Sequence, residues 1–562
     1  IYNSNNTVIK NNRIDNSFET GINVGKHENI DITGNQITNN GMFLTYGSFN
    51  TPLTQGKGIN SLTSGALNIS GNSIINSTYS AIEIGTDGAI VTNNYIRGSL
   101  LNINDGGAIT LRGSNISITD NIIIGVYGNI NDGANGYAGE DKTSRHGSYG
   151  MGIFDYQATE NNVITGNTVA YARDIGIMIA QGKNYEISGN ITYGNEVQIQ
   201  AKKGGDGIKI INNTMYAADN IIIGMEKFAF HKGLEITGSP VNLTIDSNFY
   251  CSPYSESYIY FDGGYNLDSF KYFNGAYDQN SGSYDVRFPS FKIKSVTETL
   301  AADDFEDCGN TAPSLSGGTC SDDISKTDSM SFAKGDGTFF RLANEIAFQK
   351  DKIYNMEFDS YAEGITTYQR RIAQTIDGQF TRLIPESNFQ FNNKKQHHQY
   401  IFRAIYDLTE KPIFSVKDGD DRQLWIDNFK LQEVEIIQKE QTKIVFDNEG
   451  LKGISSDSAL LVNKTFANKS FSIPGNYETL DGKVGNIPVE PFKSKIIVKT
   501  REPAGIEYDI NNDGFTDLED LIILLKIITG SPTEDFLFID LDKDGVMGMN
   551  EVIYIIRALV LQ

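Results

Sequence analysis

Apolar and polar residues along the first half of the chain repeat one short phrase. An apolar residue is followed by two residues, an asparagine, one more residue and usually a second apolar one. Ile9 to Ile14, Ile32 to Ile37, Ile69 to Ile74, Val91 to Ile96, Ile118 to Ile123 and Ile164 to Val169 are examples. The key asparagines are Asn12, Asn35, Asn72, Asn94, Asn121, Asn167, Asn190, Asn213 and Asn248, at separations of 23, 37, 22, 27, 46, 23, 23 and 35 residues. A unit of about 23 residues with insertions is too short and too polar for two packed helices; it suits three short strands coiling into a solenoid. At roughly 4.8 Å per coil, nine coils make a rod of about 40 Å. Stacked at one bend, the asparagines are expected to adopt the left-handed backbone and to bond through their amides to the copies above and below.

This pattern resembles the right-handed parallel β-helix proteins. The resemblance covers roughly the first half of the chain and implies a β-helix over 1–295, with the Tyr/Gly-rich stretch after Asn248 capping its open end. Three insertions, Gly41–Lys57, Gly98–Asp105 and Val126–Tyr149, leave the same corner. The first and last would form two walls about 14 Å apart around a trough on the third and fourth coils.

The fold class expected is mainly β: the β-helix is followed by a jelly-roll sandwich, a small β unit and a small α module. Residues 296–440 alternate like half-buried strands, at 330–332, 339–342, 354–361, 399–406 and 424–434. Phe305-Glu306, Tyr354 to Phe358 and Leu424 to Leu431 resemble the jelly-roll carbohydrate-binding modules. That resemblance implies a structural calcium at Glu306 and Asp427. Tyr361 and Trp425, with Tyr368 and Tyr406, are the candidates for stacking on sugar, or else core aromatics. Residues 441–502 form the small β unit.

The last sixty residues hold two loops of calcium-binding spacing. Asp509, Asn511, Asp513, Phe515, Asp517 and Asp520 fill positions 1, 3, 5, 7, 9 and 12 of the first, with Gly514 at position 6. Asp540, Asp542, Asp544, Val546 and Glu551 follow 31 residues later, with Gly548 at position 9, where a water would serve. Calcium takes six to eight oxygens, and this spacing turns alternate oxygens inward. Each loop leads into an apolar helix, 518–528 and 552–561, and no helix precedes Asp509. The duplicated loop-then-helix order resembles a type I dockerin over 503–562. What it implies is two calcium ions and docking onto a cohesin domain. The residues at loop positions 10 and 11, Leu518-Glu519 and Met549-Asn550, depart from the Ser/Thr pairs common there, so partner specificity does not carry over.

A net charge of −23 argues against nucleic acid and an anionic membrane as main partners. No apolar run reaches membrane-spanning length. Cys308 and Cys320 are close enough in sequence to bridge, leaving Cys251, and one bridge favours an extracellular setting. Residue 1 falls inside a coil and reads as the start of a fragment or mature form.

Pectate lyases, polygalacturonases and alginate epimerases share the β-helix, but their sequence motifs are missing. The trough offers Glu83 and Thr110 on outward phases, Asp105 and Arg112 beside the fourth strand, Arg145, His146 and Tyr149 on the long loop, and Arg173 and Asp174 on the next coil. An Arg base would suit β-elimination from a uronic acid, and paired carboxylates would suit hydrolysis. Asp155 falls on an inward phase. His27, His231, His397 and His398 show no metal-ligand spacing and are expected at the surface.

Two functions follow. One is a secreted or cell-surface protein that binds or processes polysaccharide, as a lyase or glycoside hydrolase if an enzyme, while docked to a scaffold or surface protein. The other is a non-catalytic filament or sheath subunit with the β-helix as rigid body and the dockerin-like module as connector.

Overall fold

The computed structural model describes residues 5–26, 28–41, 56–62, 65–101, 103, 105–128, 150–202, 206–217, 232–238, 241–252, 258–261, 264–284, 292–305, 315–316, 319–321, 331–334, 339–342, 344–349, 352–362, 366–376, 379–391, 395–404, 407–410, 413–416, 424–437, 445–447, 450–452, 458–473, 477–499, 510, 518–529, 548–549, 551–553 and 555–556. By its contacts the chain divides into one unit of 1–456, 460–470 and 488–495 and a second of 457–459, 471–487 and 496–562.

In the first unit three parallel sheets wind into a β-helix. The first sheet runs from Thr7–Lys10 to Thr244–Asp246, the second from Arg13–Asp15 to Gly282–Tyr284, and the third begins at Ile22–Val24. Each strand pairs with its counterpart one coil away, so isoleucines stack in columns: Ile22, Ile59, Ile82, Ile109, Ile153, Ile177 and Ile199 share one register in the third sheet. One continuous apolar core results.

The key asparagines form one ladder. In each step the backbone N–H and the side-chain Nδ2 of one asparagine donate to Oδ1 of the next, at 2.9 and 3.0 Å from Asn35 to Asn72 and 3.0 and 3.0 Å from Asn94 to Asn121. The Nδ2 also reaches a carbonyl of the neighbouring coil, as Asn121 does at Val91, 2.9 Å. The ladder runs unbroken from Asn12 to Asn248. It ends on a different chemistry: Asn248 donates to Ser281 Oγ at 2.8 Å and to Asp278 Oδ1 at 3.2 Å. Asp278 also accepts from Tyr250 at 2.7 Å, and burial raises its pKa. The helix Leu267–Phe273 brings fully buried Phe270 against Phe261, Tyr265 and Tyr277 at this end.

One detail of the bend differs from expectation. The left-handed residue is the one before each key asparagine: Asn11, Gly34, Gly71, Asn93, Asp120, Gly166, Gly189, Asn212 and Ser247 have φ between 55 and 67°. The division of labour is physical. A residue without Cβ or with a short polar side chain turns the chain, which frees the following asparagine to point inward and bond along the rod.

Two antiparallel sheets follow. One orders Thr319–Ser321, Ser331–Lys334, Leu424–Ile437, Ile353–Ala362 and Gln396–Arg403, with Lys292–Asp303 also on Leu424–Ile437; the other orders Leu315–Ser316, Phe339–Leu342, Ile413–Val416, Thr366–Ile376 and Gln379–Phe391. His398 corrects the surface expectation: it is buried, stacked on Phe358 at 4.9 Å and bonded to Ser360 at 2.8 Å. His397 is exposed and pairs with Asp359; His27 and His231 lie outside the described residues, as do Cys308, Glu306 and Tyr406. Cys251 is a buried free thiol.

In the second unit, helix Leu518–Ile528 and helical residues within 549–556 share a small core of Ile510, Leu524, Val552 and Ile555. No helix among the described residues is long and apolar enough to cross a membrane.

Candidate functional site

The insertions do leave a common corner, between the second and third sheets. The strand pairs flanking them are Gln36–Asn40 with Ile59–Ser61, Tyr95–Ser99 with Gly106–Leu111, and Ile122–Val126 with Gly150–Asp155. A fourth, between Thr214–Tyr216 and Lys232–Ile236, leaves the same corner; the 35-residue gap before Asn248 was its signal. The walls of the expected trough, 42–55 and 129–149, lie outside the described residues, and with them Arg145, His146 and Tyr149.

What the structure shows is the outward face of the third sheet beside that corner. Because side chains alternate across a strand, register gives one outward column; a second, three residues earlier on each strand, falls off that alternation, yet its Met151, Ile175 and Val197 pack with Phe154 and Met178 on the same face. One holds Asn60, Glu83, Thr110, Phe154, Met178, Gln200 and Glu235. The other holds Gly107, Met151, Ile175, Val197 and Lys232, with Lys57 and Ser80 in line two residues ahead of Ile59 and Ile82. The face is therefore polar at one end, apolar in the middle and polar again at the other end. Met151, Phe154, Ile175, Met178 and Val197 pack together as the middle.

The first polar end is built around Glu83, only 1% exposed. Its Oε2 meets Lys57 Nζ and its Oε1 meets Arg112 Nε, each at 2.5 Å. The Arg112 guanidinium lies 4.5 Å from the Tyr156 ring centre, a cation–π contact. Lys57 stands 5.8 Å from the Tyr79 ring, and the Tyr79 hydroxyl donates to the Asp105 carbonyl at 3.0 Å. Burial, with the Glu83 and Asp105 charges, pushes the Tyr79 phenol up, and burial also raises the Asp105 carboxyl against the pull of Arg112. Thr110 hydroxyl bonds Ser80 and the Gly107 N–H, both at 3.0 Å. The far polar end repeats the theme: Glu235 holds Lys232 and Gln200 at 2.5 Å each, and Lys232 lies 4.0 Å from the Tyr260 ring centre.

Of the sequence candidates, Glu83, Arg112, Thr110 and Asp105 come together. Arg173 and Asp174 do not join them. Their backbone N–H groups bond to Val126 and Gly150, at the root of the long insertion. Their strand Ile175–Ile179 stands three steps from Ile82–Ile84 in the sheet, about 14 Å. Lys57, Tyr79 and Tyr156 were not singled out by the sequence; Lys57 stands two residues before inward Ile59, a phase that alternation alone would turn inward, yet its ammonium meets Glu83. Asp155 is inward, as its phase implied. It is fully buried, accepts from Thr159 at 2.9 Å, and burial raises it to about 6 against the hydrogen bonds of Thr159, Gln181, Tyr185 and Gly182.

In the sandwich, Trp425 is 2% exposed and meets Tyr361 edge-to-face at 5.5 Å. That burial gives Trp425 to the core and leaves it no open face for a sugar; Tyr361 is half-buried. Tyr368 lies on strand Thr366–Ile376, its side chain outside the description. Asp427 is buried and its Oδ1 accepts from the Asn428 N–H at 2.9 Å.

Of the calcium-loop residues, Asp520 and Glu551, the last of each loop, are described; Asp509, Asn511, Asp513, Phe515, Asp517, Asp540, Asp542, Asp544 and Val546 lie outside. Both carboxylates are buried and turned back on their own loops. Asp520 accepts from the Ile510 N–H at 2.7 Å and Glu551 from the Gly548 N–H at 2.7 Å. The second is the reciprocal half of a helix capping box. Buried carboxylates aimed at a loop rich in Asp and Asn fit a calcium ion. The helices present matched apolar stripes: Leu518, Ile522 and Leu525 are exposed, and so are Met549, Ile553 and Ile556, each 31 residues on.

Among curated proteins none matches the sequence. Solved structures with likeness include the mannuronan C-5 epimerase AlgE6 A-module of Azotobacter vinelandii, at 12% identity over 50% of this chain and 81% of that one, TM-score 0.27. The enzymatically active domain of tailspike protein 4 of bacteriophage CBA120 shows 11% identity over 67% and 64%, TM-score 0.22. The CBM22-1 xylan-binding domain of Paenibacillus barcinonensis Xyn10C shows 10% over 26% and 99%, TM-score 0.20. Scores this low transfer neither fold nor chemistry. The family model for the right handed beta helix region matches residues 56–215, and the three parallel sheets built around that stretch are this fold.

Proposed function

We propose that the chain is an extracellular modular protein that holds polysaccharide against the outward face of the third sheet. On this reading it is docked through a calcium-dependent, dockerin-like module at 503–562 to a cohesin-like domain of a surface or scaffold protein. The observation that carries the first part is the polar–apolar–polar face at the corner where four insertions depart. Cations seated on tyrosines at both ends suit the hydroxyls and charged substituents of a sugar, and the apolar middle suits its ring faces. Both Glu83 oxygens are already held by cations, and the Asp155 carboxyl is sealed inside. Holding the polymer is therefore better supported than cleaving it.

For the second part, Asp509, Asn511, Asp513, Phe515, Asp517 and Asp520 would hold one calcium and Asp540, Asp542, Asp544, Val546 and Glu551 another. The matched stripes, exposed on helices whose other faces share a core, support docking by that surface. A jelly roll at 296–440 with a calcium near Glu306 and Asp427 completes the proposed domain order.

Affinity electrophoresis of the full chain through gels containing a panel of soluble polysaccharides tests the polysaccharide reading. At least one polymer should retard the protein, and Arg112→Ala should weaken that retardation about tenfold. A wild-type chain retarded by none would contradict it.

A further inference from the structure

A protein of net charge −23 repels anions in general. One place on it runs the other way. On the second sheet, Tyr95 and Arg97 leave the same face of strand Tyr95–Ser99, two residues apart. The loop 463–467 comes down on this face, and its shape is fixed by one buried side chain. Asn463 Nδ2 donates to the carbonyls of Ala467, Val489 and Glu490 at 2.8, 2.9 and 3.0 Å, while its Oδ1 accepts from the Thr465 N–H and hydroxyl at 3.1 and 2.7 Å. The loop is also seated on the β-helix. Phe466 packs edge-to-face on Phe492 at 4.8 Å and lies so close over Gly71 that a Cβ there would meet its ring at 2.7 Å. Nearby, Lys493 pairs with Asp120, and the Ser494 and Thr168 hydroxyls bond at 2.7 Å.

This seating holds the Lys464 ammonium 4.6 Å from the centre of the Tyr95 ring. Burial lowers the Lys464 pKa, and the charges of Arg97 and Lys469 lower it further. Arg97 acts the same way on Tyr127, whose phenol is raised by burial and eased down by that charge. Among the described residues no carboxylate pairs with Arg97 or Lys464, and Asp120, the acid at this seam, is occupied by Lys493. Like charges gathered without an anion repel one another, and an oxyanion between them removes that cost. A planar guanidinium beside an ammonium is also the pairing that grips a carboxylate or sulfate.

We propose that Arg97 and Lys464 form a binding site for an oxyanion, the carboxylate or sulfate of an acidic saccharide, beside Tyr95 and Tyr127. It lies on the second sheet and is independent of the third-sheet face.

Isothermal titration of the full chain with potassium sulfate, against potassium chloride of equal ionic strength, tests it. The wild type should show one saturable sulfate site, and Lys464→Gln and Arg97→Gln should each bind at least tenfold more weakly. Arg97→Lys should keep part of the affinity, and Lys10→Gln, an exposed lysine on the first sheet, should keep all of it. Competition by trigalacturonate marks the carboxylate as ligand; competition by a sulfated disaccharide marks the sulfate. No saturable sulfate heat in the wild type, equal affinity in all variants, or competition by neither saccharide would overturn the proposal.

Discussion

The β-helix and the C-terminal module solve the same problem, buried polar groups, by opposite means. In the β-helix each key asparagine from Asn35 to Asn213 finds both donor and acceptor partners in adjacent coils of its own chain. Such a ladder needs nothing from solution. The C-terminal module instead buries Asp520 and Glu551 at the ends of loops crowded with further carboxylates. A backbone N–H meets each of them, and on the proposed reading a calcium ion gathers the loop carboxylates around them. One region is closed in itself, and on the proposed reading the other depends on a ligand.

Breaking the ladder should have the largest effect. Asn121→Ala leaves the Asn94 N–H and Nδ2 without their acceptor inside the rod. At about 1–3 kcal/mol per unsatisfied buried group, roughly 4 kcal/mol should be lost in denaturant unfolding. Asn68→Ala, which removes an exposed side-chain bond to Asp31, should cost under about 0.5 kcal/mol. Equal losses would mean the ladder does not carry the rod.

Glu83→Ala comes next, because it leaves Lys57 and Arg112 facing each other without their shared carboxylate. A loss of about 3 kcal/mol is expected in the same measurement. Asp155 sharpens the contrast by pH. Its folded pKa, about 6, lies above the ordinary 3.8, so the folded state holds the proton more tightly than the unfolded one. Its stabilising contribution is complete below pH 4 and is lost as pH rises through 6, up to about 3 kcal/mol at 1.36 kcal/mol per pKa unit. Asp155→Asn should flatten that slope in stability measured from pH 4 to 7; an unchanged slope assigns it to other groups. The smallest effect on stability, within about 0.5 kcal/mol, is expected for Ile553→Asp on the exposed stripe. Yet the same change should abolish calcium-dependent retention on an immobilised cohesin domain that retains the wild type.

The rod was legible because a repeat states its own geometry: once Asn35 and Asn72 occupy equivalent places, stacking follows from coil spacing. The left-handed residue escaped because Asn, Gly, Asp and Ser alternate at that position, while the invariant asparagine beside it drew the assignment. The cluster around Glu83 was half legible. Glu83 declares itself by phase and Arg112 by its place beside the fourth strand, but Lys57 reaches Glu83 only because an insertion ends where it does, and Tyr156 meets Arg112 across coils 44 residues apart in sequence. Trp425 was undecidable, since one alternating strand does not say which of its faces a second sheet covers.

The contrast between a self-sufficient rod and the proposed cation-dependent module is tested most directly by calorimetry of the full chain in calcium and in chelator. The account predicts that chelator abolishes the transition of the C-terminal module, together with the helical signal of 518–528 and of the helical residues within 549–556, while the β-helix transition keeps its midpoint. A thermogram unchanged by chelator, or a β-helix transition that falls with the module, would contradict it.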